Sequence, residues 1–174
     1  MVWILGIAVA IIVVLAALLA YLTAHRLDRL HIRTDLAAAS LHQAFLRRHT
    51  VAVAIAEGLG AEQFRAAEWI QVCVDQAKHR SVDGFTPGAP QTGIEQAEND
   101  LTRALTDLPS EAVGPQMLAE AIDVGDRLEM ARRFYNDAVR DTRRLREKKV
   151  VSWFRLAGSA PMPEYIELVD PSYN

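Results

Sequence analysis

The sequence of 174 residues has little cysteine, proline or glycine: Cys73 is the single cysteine, and there are seven prolines and nine glycines. One cysteine excludes a disulfide within the chain and any zinc cluster built from cysteines. It is also compatible with a reducing compartment. The low content of proline and glycine, with leucine and alanine dominant instead, excludes collagen-like, disordered and β-rich chains.

Charge is absent from the start of the chain. No Asp, Glu, Lys or Arg occurs before Arg26, so this residue is the first of the 41 charged side chains. Residues 1–22 contain 21 of the 88 hydrophobic residues, and the other 152 residues contain the remaining 67. The chain therefore consists of a very apolar segment and a polar part whose length suits one compact domain.

The uncharged run at 2–22 predicts a membrane-spanning helix, because 21 residues at 1.5 Å each span about 31 Å, the thickness of a bilayer core. Trp3 and Tyr21 lie near its two ends, where aromatic rings favour the membrane interface. A cleaved signal peptide is the alternative, but it would have a basic start, a shorter apolar stretch and a small-residue cleavage site. We therefore expect a retained anchor at 1–23.

Positive charge follows the apolar run and does not precede it. Arg26, Arg29 and Arg33 come within a dozen residues after the run, and no Lys or Arg comes before it. By the positive-inside rule, the N-terminus is expected outside and the polar domain in the cytoplasm. The expected localisation is thus a single-pass protein of the cell inner or plasma membrane.

Apolar and small residues recur at spacings of three and four between Leu27 and Ile55, which is typical of a coiled-coil-like helix. The glycines at 58 and 60 are expected to end this helix. Similar spacings, separated by segments with proline and glycine, predict three further helices at 61–80, 94–108 and about 115–149.

These helices predict an all-α fold in which the N-terminal transmembrane helix continues into an antiparallel, up-down-up-down four-helix bundle. The expected division is an anchor at 1–23, a helical bundle at 24–149 and an apolar, Pro-rich C-terminal tail at 150–174. The first and fourth helices are long, so the end of the fourth helix is expected to return to the membrane.

A basic and aromatic stretch lies at that end. Its residues are candidates for contact with an anionic membrane surface: Arg140, Arg143, Arg144, Arg146, Lys148, Lys149, Trp153 and Phe154. The alternative is an ordinary solvated helix end, because cations are favoured near a helix C-terminus in any protein. Nucleic-acid binding is not expected, since the net charge is −3 and no helix-turn-helix or base-stacking signature accompanies the basic run.

The stretch ARRFYNDAVRD at 131–141 resembles the most characteristic motif of the LemA family, which are bacterial proteins with an N-terminal membrane helix and an α-helical bundle. Three other segments are similar to family segments in the same order, namely 27–49 with its Arg-Arg-His, 97–108 and 152–168. The family usually continues after Arg-Arg-His with an Ile-Pro-Asn-Leu-Val turn, which VAVAIAE at 51–57 does not match. The chain thus resembles a divergent member.

The resemblance implies an anchored helical scaffold or accessory protein. It brings no established catalytic residues. Association with a membrane zinc metalloprotease or with signalling, as for some family members, is a further implication.

Three polar residues lie on predicted apolar seams: Arg48 in the first helix, and Arg132 and Tyr135 in the fourth. Arg132 and Tyr135 are three residues apart and share a helix face. We expect the tyrosine hydroxyl to need a buried partner and Arg132 to pair with an acid of another helix. The expected arrangement is a structural polar layer of Arg48, Arg132 and Tyr135, with a ligand-binding layer as the alternative.

No pattern of catalytic or metal-binding residues stands out. His42 and His49 are seven residues apart without clustered acids. Cys73 with His79 lacks an identifiable third group, and the glycine-containing segment 84–93 has no Lys-Ser or Lys-Thr pair. The sequence therefore predicts no enzyme, no cofactor and no metal site.

The predicted function is that of a membrane-anchored scaffold or adaptor that acts through protein–protein contacts in the cytoplasm. The expected partners are membrane lipids and proteins, through self-association or contact with a membrane protease. The alternative function is a module that senses lipid or binds an anionic membrane surface through the basic end of the last helix.

Overall fold

The computed structural model describes residues 2–81, 85–153, 158 and 160–169, and of Val150 and Ser152 it describes the backbone only. This part of the chain contains helices and no strand, which confirms the all-helical prediction for it. The helices are α1 (Val2–Gly58), α2 (Phe64–Ser81), α3 (Thr92–Thr106), α4 (Pro115–Arg146) and the short α5 (Lys149–Trp153). Single 3₁₀ turns at Ala61–Gln63 and Ser110–Ala112 precede α2 and α4.

Helix α1 is one uninterrupted helix of 57 residues, about 85 Å long at 1.5 Å per residue. It continues without a break because no proline occurs in it and glycine occurs only at Gly6 and at its last residue. The residues at 2–22 are almost all exposed, whereas buried residues recur from Leu27 to Ala56. The predicted long apolar N-terminal helix is thus confirmed, and its length and composition are sufficient to cross a membrane.

Helices α1 and α4 form an antiparallel pair. The hydroxyls of Thr34 and Thr142 are 3.0 Å apart. Further along α1, Arg47 reaches Glu120 near the start of α4, with 3.2 Å between Nη2 and Oε1. Because the contacts advance along α1 while they move back along α4, the C-terminal end of α4 lies beside the part of α1 that leaves the apolar run.

All four longer helices meet in one core at the end of the domain farthest from the apolar run. The buried members come from each helix in turn: Val51, Ala52, Ile55 and Ala56, then Ile70, Cys73 and Val74, then Leu101, Ala104 and Leu105, then Ala121 and Val124. Helices α2 and α3, at 18 and 15 residues, are much shorter than α4 with 32. They therefore contribute to the core beside only part of the α1–α4 pair.

Non-helical segments complete a second core in the middle of the α1–α4 pair. Phe85 and Ile166 are buried there among residues of the two long helices, namely Ala38, Leu41, Phe45, Leu128, Ala131, Tyr135 and Val139. The ring of Phe85 lies edge-on to Tyr135, with 4.8 Å between the centroids. Edge-to-face contacts are a favoured aromatic geometry, so the loop that carries Phe85 is firmly packed against the long helices.

A third, smaller core lies nearest to the apolar run. It contains Leu27, Leu145 and Val151, with Leu30 partly buried against them. Helix α4 ends at Arg146 and not at about 149 as predicted, and the separate α5 begins at Lys149. The turn between the two helices allows Val151 to pack beside Leu27 and Leu145.

Candidate functional site

Residues 160–169, here called the C-terminal segment, lie without regular secondary structure along α4 and against α3. Arg146 contacts the start of this segment and Asn136 contacts its middle. The segment therefore runs antiparallel to α4, away from the apolar end of α1. Almost every contact that holds it joins a side chain of the helices to the backbone of the segment.

Tyr135 and Asn136 bind the middle of the C-terminal segment. The Tyr135 hydroxyl donates a hydrogen bond to the carbonyl oxygen of Glu164 over 2.8 Å. The Asn136 amide donates from Nδ2 to the carbonyl oxygen of Ile166 at 2.9 Å, and its Oδ1 accepts from the Ile166 N–H at 3.0 Å. One side-chain amide thus makes the pair of bonds that a neighbouring β-strand residue would make.

The environment of Tyr135 keeps its hydroxyl protonated. Burial, followed by the charge of Glu164, raises the pKa of Tyr135 well above its ordinary value. A protonated phenol is a donor, which is the role that the Glu164 carbonyl requires.

Two arginines bind the proline-containing start of the segment. Arg143 donates to the carbonyl oxygen of Pro163 at 3.0 Å, and its guanidinium lies 5.5 Å from the centre of the Tyr165 ring. Arg146 donates to the carbonyl oxygens of Pro161 and Ala160, both at 2.6 Å. Pro161 and Pro163 have no N–H, so their carbonyl groups are the polar backbone atoms that they offer, and guanidinium groups supply donors for them.

Helix α3 and the loop before it bind the N–H groups of the segment. Glu95 Oε1 accepts from the Glu167 N–H at 2.7 Å, and Asn99 Oδ1 accepts from the Val169 N–H at 2.8 Å. Glu95 and Asn99 are four residues apart and so lie on the same face of α3. The carbonyl oxygen of Pro87 accepts from the N–H of residue 164 at 2.9 Å.

Pro163 and Ile166 are the buried side chains of the segment, and Leu168 is partly buried against the second core. Ile166 is fully enclosed in the second core. Full burial of an Ile side chain contributes about 1.5–3 kcal/mol, so Ile166 is the main apolar anchor of the segment.

A separate buried polar cluster joins α1 to α3. Arg48 donates to the carbonyl oxygen of Glu98 at 3.2 Å and to the Thr102 hydroxyl at 2.6 Å. Its Nη1 also lies 3.6 Å from Glu98 Oε2, while His49 Nε2 lies 2.6 Å from Glu98 Oε1. All four residues are at most 5% exposed, so these polar groups meet in the interior, where His49 Nδ1 and Glu98 Oε2 have no hydrogen-bond partner in the described part of the chain.

The three residues predicted to form a polar layer have different partners. Arg48 binds α3, and Tyr135 binds the C-terminal segment. Arg132 forms an ion pair with Glu129 of its own helix, with 2.6 Å between Nη2 and Oε2, and Glu129 also accepts from Arg133 at 2.6 Å. Burial acts to raise the pKa of Glu129, but the hydrogen bonds from the two arginines outweigh it and lower this pKa.

Some basic residues at the end of α4 contact other parts of the chain, and others are exposed to solvent. Arg143 and Arg146 bind the C-terminal segment, and Arg140 pairs with Asp137 at 2.6 Å. The remaining predicted membrane-surface residues in the described part of the chain are exposed, Trp153 at 86%: Arg144, Lys148, Lys149 and Trp153. Phe154 lies outside the described residues.

A groove of about 580 Å³ lies between α2 and α3 and brings together Asp75, His79, Arg80 and Asp100. Cys73 lies close by in the core, where burial and then the charge of Asp100 raise the pKa of its thiol. Among the residues that the structure describes, no three His, Cys, Asp or Glu side chains are grouped so that they could hold a metal ion.

Comparisons of the chain with protein-family models, with curated proteins and with solved structures found no match.

Several residues of these sites were missed in the sequence because their partners are distant along the chain. Glu98 lies on the apolar face of α3, and an acid there is a recognisable signal for a buried cation such as Arg48. Asn136 is a poor helix former in the middle of a long helix, which indicates a side-chain role. Nothing in the aperiodic residues of the C-terminal segment indicates where Ile166 is buried.

Proposed function

We propose that this chain is a membrane-anchored scaffold or adaptor without catalytic activity, whose helical domain acts through protein–protein contacts in the cytoplasm. The observation that supports this most is the continuity of α1. One helix carries an exposed apolar part long enough to span a bilayer and a second part buried in the domain core. Such a helix would hold the domain at a set distance from the membrane.

The proposal includes membership of the LemA family as a divergent member and an up-down-up-down four-helix bundle. The motif at 131–141 supports the family assignment, and two of its residues, Tyr135 and Asn136, have a defined role in binding the C-terminal segment. The antiparallel packing of α1 and α4 supports the bundle. The orientation with the N-terminus outside is supported by Arg26, Arg29 and Arg33, which follow the apolar run.

An apolar stripe on the outer face of α1 supports contacts with another protein. Ile32, Leu36 and Leu46 are all exposed, at 53%, 67% and 38%. At about 100° per residue they fall within roughly 80° of the helix circumference. Exposed apolar side chains on one side of a helix are a surface on which another helix can pack, so the partner is proposed to be a helical protein surface, including that of a second copy.

The test is affinity capture of the tagged full-length protein from native membranes after chemical crosslinking. We expect a specific partner or a second copy to be captured, and capture to be lost in the variant I32S/L36S. Phe134→Ser is the matched control, because Phe134 is also an exposed apolar side chain but lies on α4. A strictly monomeric protein without a specific partner, or equal capture by both variants, would contradict the proposal.

A second candidate function is contact with an anionic membrane surface through the end of the helical domain. The third core supports it, because Val151 packs with Leu27, only five residues after the apolar run ends at Leu22. At 1.5 Å per residue this is about 7.5 Å along α1. The exposed Lys148, Lys149 and Trp153 are therefore close to the level at which α1 would leave a bilayer.

Fluorescence quenching in lipid nanodiscs tests this second function. Lipids brominated near the headgroup should quench Trp153, and the contribution of this residue is the difference between the wild-type protein and Trp153→Phe. We expect stronger quenching in anionic than in neutral lipid, and a loss of that difference in K148Q/K149Q. Absence of any Trp153 quenching would remove this function.

A further inference from the structure

We propose that the surface of α3 and α4 that holds residues 160–169 is a binding site for an extended peptide, and that the same segment from a second copy of this chain can occupy it. In the single chain this site, here called the peptide site, is filled by the molecule's own C-terminal segment. The peptide site lies apart from the α1 stripe. The proposed scaffold function gives the residues of the peptide site no partner in another molecule.

The peptide site binds backbone atoms. Four N–H groups and five carbonyl oxygens of the C-terminal segment are hydrogen-bonded to other parts of the chain. Their partners lie on three different elements, which are α3, α4 and the loop that contains Pro87. Recognition of this kind accepts any extended chain that places its N–H and C=O groups at these positions.

Two further properties define the class of ligand. The inward-facing positions select a proline, a branched aliphatic anchor three residues later, and a further apolar residue at the position of Leu168. The segment is also acidic through Glu164 and Glu167, and the α4 side of the site is basic through Arg143 and Arg146. The ligand class is therefore an acidic, proline-containing extended peptide.

A second copy of this chain is the occupant that best fits these requirements, because its residues 160–169 have the matching sequence. Only six residues, 154–159, join the C-terminal segment to α5. Six residues can span at most about 20 Å, so a copy that receives the segment must lie directly beside the copy that supplies it. Exchange of an identical segment between copies is a low-cost route to assembly. An anchor that keeps copies in one membrane with one orientation would raise their local concentration further.

Binding of a labelled peptide to the full-length protein in detergent tests the peptide site directly. The probe is a fluorescent peptide of residues 160–169, and the receptor is the full chain with Ile166→Asp, which weakens its own segment. We expect saturable binding that is on the order of tenfold tighter than to the wild-type chain, whose own segment competes at high effective concentration. A peptide that carries the same Ile-to-Asp change should not bind.

Asn136→Ala, added to the Ile166→Asp chain, should weaken peptide binding by on the order of tenfold, since it removes two hydrogen bonds. Gln71→Ala is the matched control, because Gln71 is an exposed amide on α2, and it should leave binding unchanged. If Ile166→Asp reduces the helical content, Ile166→Ala serves as the receptor, because it removes most of the apolar anchor of the chain's own segment and buries no charge.

Exchange between copies is tested by mixing two full-length variants. Ile166→Asp retains the peptide site and lacks a competent segment, whereas Asn136→Ala has a weakened site and an intact segment. We expect the mixture to form a heterodimer, and Ile166→Asp alone to form none.

Absence of saturable peptide binding to a folded receptor, or binding that Asn136→Ala leaves unchanged, would overturn the peptide site. Peptide binding without a heterodimer would overturn the second copy as its occupant. The variant I32S/L36S should retain peptide binding, so failure of the scaffold proposal can be distinguished from failure of this one.

Discussion

His49 of α1 and Glu98 of α3 face each other in the protein interior, with 2.6 Å between Nε2 and Oε1 and side chains that are each 1% exposed. Arg48 reaches the other carboxylate oxygen of Glu98 and the neighbouring Thr102. Buried charges are tolerated where partners and hydrogen bonds satisfy them. This cluster therefore ties one position of α1 to one position of α3.

The first prediction concerns Glu98→Ala. This change leaves the Arg48 guanidinium buried without its carboxylate, and the expected loss is about 3–5 kcal/mol of unfolding free energy. Chemical unfolding in detergent, followed by circular dichroism, measures it. The triple variant R48M/H49F/E98L should recover much of the loss, because it replaces all three polar side chains that meet there and keeps apolar volume. A loss below about 1 kcal/mol for Glu98→Ala would contradict a structural role.

The second prediction concerns Tyr135 and pH. Tyr135→Phe removes the hydrogen bond to the Glu164 carbonyl and should cost about 1 kcal/mol near neutral pH. The pKa of Tyr135 is raised by burial and by Glu164, so above pH about 10 the unfolded tyrosine loses its proton while the folded one keeps it. The stability that Tyr135 contributes is thus present below that pH and is lost as the pH rises.

We therefore expect the difference in unfolding free energy between the wild-type protein and Tyr135→Phe to narrow above pH about 10. Other groups that titrate in this range are common to both proteins and cancel in the comparison. A difference that stays constant with pH would show that the folded tyrosine ionises as it does in the unfolded chain.

The third prediction concerns Gly88. Because a Cβ at this position would overlap the Pro161 ring, Gly88→Ala should expose the C-terminal segment to limited proteolysis. Gly93→Ala is the matched control, since a Cβ there meets Arg80 Cδ at an ordinary 3.7 Å. Mass spectrometry of the fragments gives the cleavage rates. Equal cleavage rates for the two variants would mean that the position of the C-terminal segment does not depend on the close approach of Pro161 to Gly88.

The fourth prediction concerns Cys73 and membrane orientation. Cys73 is 1% exposed and its pKa is raised by burial and then by Asp100, so the native thiol should react with maleimide only after unfolding. A cysteine introduced by Gln71→Cys on the exposed side of α2 would then be the thiol that maleimide labels in the folded protein. In intact cells we expect labelling by a membrane-permeant maleimide and none by an impermeant one. Labelling by the impermeant reagent would reverse the proposed orientation.

Sequence patterns predicted the helices because helix formation depends on near neighbours. Spacings of three and four predicted a helix at 94–108, and α3 is observed at Thr92–Thr106. The end of α4 was predicted less well, because the turn after Arg146 depends on the packing of Val151 with Leu27. These two residues are far apart along the chain, so no local pattern could indicate their contact.

Only some residues of the candidate site were predicted from the sequence. Arg48 and Tyr135 were expected to be polar residues in an apolar setting, and both are buried. Their partners were not identified, because the acid that Arg48 binds and the carbonyl that Tyr135 binds belong to segments brought near only by folding. Arg143 and Arg146 were candidates for contact with a membrane surface, with a solvated helix end as the alternative, and the structure shows them bound to carbonyl groups of the C-terminal segment.

By itself, the sequence determined the long apolar first helix and the all-helical character of the described chain, since both depend on composition and on local periodicity. Only the tertiary structure decided that Asn136 pairs with Ile166, thirty residues later, and that this isoleucine fills the core beside Phe85. An extended segment has no hydrophobic repeat of its own to indicate its place. Its position depends on the space and the hydrogen-bonding groups that α3, α4 and the Phe85 loop provide once they have packed.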